Sequence, residues 1–303
     1  MTIINLDREF TPFGQGINFQ STVFPSGFEV NVRLPKITGK VLITTRIKEP
    51  NDIMRVVITA GALRNMRPMP EVSVFMPYLP YARQDRAMIE EGEVDDETEP
   101  YQEATSVKDF AQFMNLQSFK NFIVLDPHSE IGTTVLDGVM KVSNHNLVKK
   151  VLGERIAAGD TKFRIACPDA GAEKKVIKLC KSIGYTNDLL MCEKVRDVRT
   201  GKLVSIKIHA DDLQGMDIYT VDDICDGGGT YIMQGLELQK KNAGNRFLIV
   251  THALLTQGEE VLKPYVEHIY STDSMKDRVS DYVTQYKIEH LYGEHFQKML
   301  QSL

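Results

Sequence analysis

The chain has 303 residues, 42% of them hydrophobic and 25% charged, with 21 glycines and 12 prolines, a balance that excludes disorder and supplies enough chain for two ordinary domains. Its formal net charge of −5 and pI near 5.9 argue against a nucleic-acid partner, which needs a clustered basic surface, and no apolar run approaches the ~20 residues of a membrane span. Cys167, Cys180, Cys192 and Cys225 lack paired metal-ligand spacing and are too few for a disulfide framework, and the amino terminus carries no basic-then-apolar signal, so a cytoplasmic setting is expected.

In chain order, short apolar runs alternate with helix-period segments: a strand at Val41–Thr45, a helix from Asp52 to Met66 and a strand at Val72–Phe75. The stretch from Glu90 to Glu99 carries seven carboxylates and no apolar periodicity, which predicts a solvated loop. Val107, Phe110, Ala111 and Met114 then fall at i, i+3, i+4 and i+7, and Ser106 with Asp109 is spaced as a capping box, so a helix is predicted there, followed by a strand at Phe122–Leu125.

The second half repeats this rhythm. Strands are expected at Phe163–Ala166, Asp188–Met191, Asp217–Val221 and Phe247–Val250, with helices near Lys174–Ile183 and Tyr231–Lys241. Strand-helix alternation predicts parallel sheets flanked by helices, and we expect two such α/β domains, 1–147 and 148–303.

Chemistry concentrates in Val221-Asp-Asp-Ile-Cys-Asp-Gly-Gly-Gly-Thr230, between an apolar strand and a helix-period segment. Gly227, Gly228, Gly229 and Thr230 at such a turn let backbone N–H groups close around a phosphate at a helix amino terminus. Asp222 and Asp223 can accept hydrogen bonds from adjacent ribose hydroxyls, or share a magnesium with them, so a ribose phosphate suits both ends of the motif. Arg83 and Arg86 are fork-shaped donors matched to anionic phosphates.

The Asp-Asp-x-x-Asp-x-x-Gly-Thr loop, with further motifs in the same order, resembles the ribose-phosphate pyrophosphokinase (phosphoribosyl pyrophosphate synthetase) family over roughly residues 24 to 274. The resemblance implies two phosphoribosyltransferase-like domains, an amino-terminal one for ATP and assembly and a carboxyl-terminal one for ribose phosphate. Pro80-Tyr-Ala-Arg-Gln-Asp-Arg86 matches the family's ATP signature, which implies nucleotide contacts for Arg83, Gln84 and Asp85. Phe24-Pro-Ser-Gly-Phe-Glu29 is similar to the region that touches adenine, implicating Phe24 and Glu29. Asp126-Pro-His128 and Pro168-Asp169-Ala-Gly171 resemble the elements that hold magnesium, implying His128 as a metal and ATP contact and Asp169 as a metal contact. Glu193-Lys194-Val-Arg196 is similar to the catalytic Lys-x-Arg at the start of a flexible loop, implying Lys194 and Arg196 as catalytic cations, with Asp222, Asp223, Asp226 and Gly227 to Thr230 holding the ribose phosphate.

The implied activity is transfer of the β,γ-diphosphate of ATP, with Mg2+, to the anomeric hydroxyl of ribose 5-phosphate, in a homo-oligomer of two or more chains. Where the family usually has Thr-Ala-Gly-Thr, this chain has Gly227-Gly-Gly-Thr230, which predicts a roomier turn and leaves ADP-ribose open as an alternative acceptor. A regulatory, non-catalytic homologue and a phosphoribosyltransferase are the other readings. Retention of Lys194, Arg196, Arg83, His128 and Asp169 disfavours the first, and the string from Tyr81 to Arg86 disfavours the second.

Overall fold

The computed structural model describes residues 1–87, 103–169, 171–196 and 203–302; the acidic stretch Glu90–Glu99 lies outside them. The chain forms two compact units, Met1–Val142 together with Gly293–Leu303, and Ser143–Tyr292.

Unit 1 contains β1 (Thr2–Asn5), β2 (Gln20–Val23), β3 (Val30–Arg33), β4 (Lys40–Thr44), α1 (Pro50–Arg64), β5 (Glu71–Phe75), α2 (Ser106–Asn115), β6 (Phe122–Leu125), α3 (Glu130–Val135) and β7 (Val139–Val142). Its five-stranded sheet runs β1-β4-β5-β6-β7, parallel throughout, while β2 and β3 pair antiparallel as a separate ribbon. Strands covered on both faces read as unbroken apolar runs, and every residue of β6 is accordingly buried. Val56, Ala60 and Leu63 of α1 and Phe110, Ala111 and Met114 of α2 join Ile4, Val41, Ile43, Val74, Phe122 and Val124 in one core.

The periodicity at Val107–Met114 is realised in α2, but its cap differs from expectation. The N-cap is Thr105, and Ser106 instead donates its hydroxyl to Gln84 Oε1 at 2.7 Å. Ser106 is thus the first helical residue, and its hydroxyl proton serves a tertiary acceptor. Pro50 opens α1, where its missing N–H removes nothing, and the N–H groups of Lys48 and Glu49 donate to Asp52 Oδ2.

Unit 2 contains α4 (His145–Ala157), β8 (Phe163–Cys167), α5 (Glu173–Ile183), β9 (Leu190–Arg196), β10 (Leu203–Ile208), β11 (Asp217–Cys225), α6 (Gly229–Lys240), β12 (Arg246–Ala253), β13 (His268–Thr272) and β14 (Val283–Tyr286). The seven-stranded order is β10-β9-β8-β11-β12-β13-β14, with only β10 antiparallel to its neighbour. Leu147, Val148 and Leu152 of α4 pack with Val176, Leu179 and Ile183 of α5 over Phe163, Ile165, Val221 and Ile249. A second cluster joins Leu238 of α6 to Ala166, Leu190, Ile206 and Ile218. A last helix, α7 (Ile288–Ser302), begins at the end of unit 2 and from Gly293 belongs to unit 1, where Phe296 stacks on Phe13 at 4.4 Å and meets Phe75 edge-on at 5.4 Å.

Candidate functional site

The order of unit 2's sheet has a reversal. From β8 the chain moves outward to β9 and β10, then returns to the other side of β8 for β11 and continues to β14. Ligands of open α/β sheets bind beyond the carboxyl ends of strands at such a reversal. The loops after β8 and β11 are where the sequence placed Asp169 and the glycine turn.

Asp169 follows β8 by two residues. Its Oδ1 accepts from the Ala172 N–H at 3.0 Å and its Oδ2 meets Lys194 Nζ at 2.7 Å. Burial alone would raise this acid, but the Lys194 hydrogen bond and charge, with the Ala172 and Gly171 N–H groups, hold it below the ordinary carboxylate value. Lys194 was expected at the start of an exposed loop. It stands instead on β9, paired with Ile206 of β10, and is half-buried. The reason is the two-residue period of a strand: Leu190 and Cys192, 0% and 2% exposed, share its face, so Lys194 continues a buried stripe. Arg196 ends that strand, and its side chain lies outside the described residues.

Asp222 and Asp223 are on β11 itself, with Asp223 buried. Asp222 Oδ1 accepts from the Asp223 N–H at 2.8 Å, and its Oδ2 lies 3.0 Å from the Tyr231 hydroxyl, which also reaches the Ile224 carbonyl at 2.7 Å. Burial, then the charge of Asp223, push the Asp222 acid up to about 8.

That shift bears on stability. An unfolded carboxyl releases its proton near 3.8 and the folded one near 8, so stability contributed by the retained proton is complete below the lower value and declines as pH rises through that window. Asp222→Asn is therefore expected to raise the melting temperature relative to the parent at about pH 8 and to lose that advantage toward about pH 4. A pH-independent difference between the two melts would contradict it.

Gly228 has φ +82° and caps α6, which begins at Gly229 without a side-chain cap. A Cβ on Gly228 would stand 2.8 Å from Leu262 Cδ2, one on Gly227 would meet Gln257 Cγ at 3.5 Å, and one on Gly229 would point into open space. The expectation of a roomier turn is thus corrected at Gly228, where buried Leu262 fills the space a methyl would take. Asp226 is tied to the following loop, accepting from Thr256 Oγ1 at 2.7 Å on its side chain and from Thr256 N–H at 3.1 Å on its carbonyl.

In unit 1, Arg83, Gln84, Asp85 and His128 follow the carboxyl ends of adjacent strands β5 and β6. Gln84 closes a turn by donating its N–H to the Tyr81 carbonyl at 2.9 Å, with Tyr81 at φ +62°; Arg83 is exposed. The Asp85 carboxylate accepts from Ser129 Oγ, and the same oxygen caps α3 by accepting from Ile131 and Gly132 N–H groups. Asp85 therefore ties the arginine turn to the loop that carries exposed His128. Phe24 and Glu29 sit at the tip of the β2–β3 ribbon, where Phe24 N–H donates to the Glu29 carbonyl at 2.9 Å and Phe24 is half-exposed.

The structure so joins Lys194 to Asp169 and Asp222 to Asp223 within unit 2, and Asp85 to the His128 loop within unit 1. Sequence reasoning overlooked Tyr231, Ser129, Thr256 and Leu262; only Tyr231 had a local signal, its place one residue after the glycine-threonine turn.

Both units are mainly parallel α/β sheets flanked by helices, and unit 2 adds strand-end acids and a glycine turn that opens a helix. The whole chain superimposes on the crystal structure of phosphoribosylpyrophosphate synthetase from Mycobacterium smegmatis with a TM-score of 0.78, at 19% identity and 100% coverage of both chains. The chain is 29% identical to the ribose-phosphate pyrophosphokinase of Methanopyrus kandleri (89% of this chain, 86% of the relative) and 25% identical to that of Pyrococcus abyssi (93% and 94%). In sequence and in fold the chain is thus similar to ribose-phosphate pyrophosphokinases. No family model matches it.

Proposed function

We propose that the protein transfers the β,γ-diphosphate of ATP to the anomeric hydroxyl of ribose 5-phosphate, giving phosphoribosyl pyrophosphate and AMP. The observation that carries this reading is the arrangement in unit 2. A lysine on β9, a carboxylate after β8, two acids on β11 and an uncapped helix start all belong to the carboxyl-end side of neighbouring strands, at the reversal in their order. The curated relatives named ribose-phosphate pyrophosphokinase support the donor and the reaction type.

In this mechanism the glycine turn and Thr230 hold the 5-phosphate, and Asp222, Asp223 and Asp226 orient the ribose. Phe24, Glu29, Arg83, Gln84, Asp85 and His128 serve the nucleotide from unit 1, with Asp85 acting through its bond to Ser129. The anomeric oxygen bonds to the β-phosphorus as the bridge to the α-phosphate breaks, AMP departs with the bridging oxygen, and the hydroxyl proton passes to water. Lys194 and Arg196 offset charge that builds on the transferred oxygens and the leaving group.

Among the described residues no three His, Cys, Asp or Glu side chains converge, so no cage closed by protein ligands exists there. Mg2+ keeps waters and relies on one or two carboxylates plus substrate phosphates, so a single strand-end carboxylate, here Asp169 beside Lys194, fits it. Asp169 and His128 are each proposed as a Mg2+ contact within their own unit, and a bound ion would neutralise phosphate charge.

Four free, buried cysteines support a reducing, cytoplasmic setting, and among the described residues no helix is long and apolar enough to cross a membrane. Assembly into a dimer or larger is part of the proposal.

The test is AMP release from Mg-ATP with ribose 5-phosphate and, in parallel, with ADP-ribose, each product identified by mass. Turnover with ribose 5-phosphate is expected. A preference for ADP-ribose would move the acceptor to a ribosyl diphosphate, and silence with both would leave a regulatory homologue.

A further inference from the structure

Tyr231 has no role in the reading above, yet its hydroxyl touches the acidic pair. The side chain is 5% exposed and packs with Cys225, Val250, Leu255 and Leu262. It lies in the first turn of α6, and its own N–H donates to the Gly228 carbonyl at 2.9 Å, so one residue connects the phosphate turn, through its backbone, to Asp222, through its hydroxyl.

The hydroxyl has two neighbours that both read as acceptors, the Ile224 carbonyl at 2.7 Å and Asp222 Oδ2 at 3.0 Å. A phenol has one proton and makes one good donated bond. The carbonyl can only accept, and it is the nearer partner. The longer contact is therefore satisfied when Asp222 carries a proton and donates it to the phenol oxygen. Asp222 Oδ1 is meanwhile held by the Asp223 N–H, so both ends of the carboxyl are pinned.

We propose that Tyr231 is a positioning residue for the ribosyl acceptor: its phenol oxygen receives the proton of Asp222 and fixes that carboxyl as an uncharged, oriented arm of the acidic pair. This rests on the pyrophosphokinase reading for the identity of the acceptor, but the pairing itself does not. Burial, the charge of Asp223 and a side-chain hydrogen bond with Asp223 push the Asp222 acid up to about 8, so that a proton is present for the phenol to receive. The groups facing Asp222 are Asp223 and Cys225 on its own strand, Tyr231 on α6 and Lys194 on β9; Asp169 after β8 acts through Lys194, and β12 brings His252 into register with Ile224. Keeping the pair from carrying two charges limits repulsion of an anionic phosphate held at the adjoining turn.

The experiment compares the parent, Tyr231→Phe and Asp222→Asn in two readouts. The first is the titration of the Asp222 carboxyl carbon by 13C NMR in the parent and Tyr231→Phe, which needs no turnover. The second is KM for ribose 5-phosphate and for ATP between about pH 6 and about pH 9. Loss of an acceptor for the acid's proton should move the Asp222 titration to lower pH in Tyr231→Phe and raise KM for ribose 5-phosphate about tenfold, with KM for ATP unchanged. Asp222→Asn, whose amide can donate to the same oxygen but cannot ionise, should lose the parent's alkaline rise in KM for ribose 5-phosphate.

A titration that stays put or moves to higher pH would overturn the proposal, because the hydroxyl would then be idle or would be donating to a carboxylate. Equal rises in both KM values would reduce Tyr231 to a packing residue. If Tyr231→Phe does not fold, an alkaline rise in KM for ribose 5-phosphate that persists in Asp222→Asn would itself sink the uncharged-arm assignment. A parent that releases no AMP would refute the pyrophosphokinase reading, while the NMR titration would still decide the pairing.

Discussion

Lys194→Ala is expected to lower turnover by about 100- to 1,000-fold, the loss found when a single group that stabilises developing charge is removed. Diphosphoryl transfer involves little covalent work by the protein, so rate depends on cations placed where charge accumulates. Lys194 suits that role because β9 holds it rigidly: its neighbours on the same face, Leu190 and Cys192, are buried, and its Nζ is 2.7 Å from Asp169 Oδ2. The same contact predicts a small effect on stability, about 1 kcal/mol, since Asp169 keeps its bond from the Ala172 N–H and stays partly solvated. AMP release and a thermal melt on the same preparation measure both quantities. Undiminished turnover would remove Lys194 from the mechanism, and a collapse in melting temperature would recast it as structural.

The glycine turn should be equally intolerant, for a different reason. Gly228→Ala forces a Cβ into the left-handed region, which disfavours any L-residue by roughly 1–2 kcal/mol, and sets that carbon 2.8 Å from Leu262 Cδ2. Leu262 is fully buried, so the collision adds about 1–3 kcal/mol of overpacking. We expect destabilisation of about 2–5 kcal/mol in denaturant melts and a rise of at least about tenfold in KM for ribose 5-phosphate, because the turn's N–H groups shift from the phosphate. Introducing Leu262→Ala first should shrink the stability cost of Gly228→Ala, since that background removes the collision and leaves the backbone term. Equal costs in both backgrounds would show that Leu262 does not confine the turn.

Much of the fold was legible because its signals are local. Parallel strands covered on both faces appear as short apolar runs, and the α2 stripe from Val107 to Met114 maps directly onto buried positions. The glycine turn was legible for the same reason, since strand, turn and helix are consecutive at Val221–Thr230. Edge elements were less visible: β1, the β2–β3 ribbon, β10 and β14 are brief or partly exposed, and their pairing partners are remote or weakly patterned.

By itself the sequence determined the α/β class, the strand-helix order, and which residue types could meet a phosphate and a ribose, because backbone periodicity and turn chemistry act over only a few residues. Tertiary structure alone decided the return of the chain from Gly293 to unit 1 and the filling of the Gly228 space by Leu262. It also decided the use of Ser106 by Gln84, the placement of Lys194 on a strand against Asp169, and the contact of Tyr231 with Asp222. Most of these contacts join residues many positions apart, and even Asp222 and Tyr231 meet only because a strand, a tight turn and a helix fold back on one another. Whether such groups touch depends on strand register and helix packing, which a one-dimensional pattern does not encode.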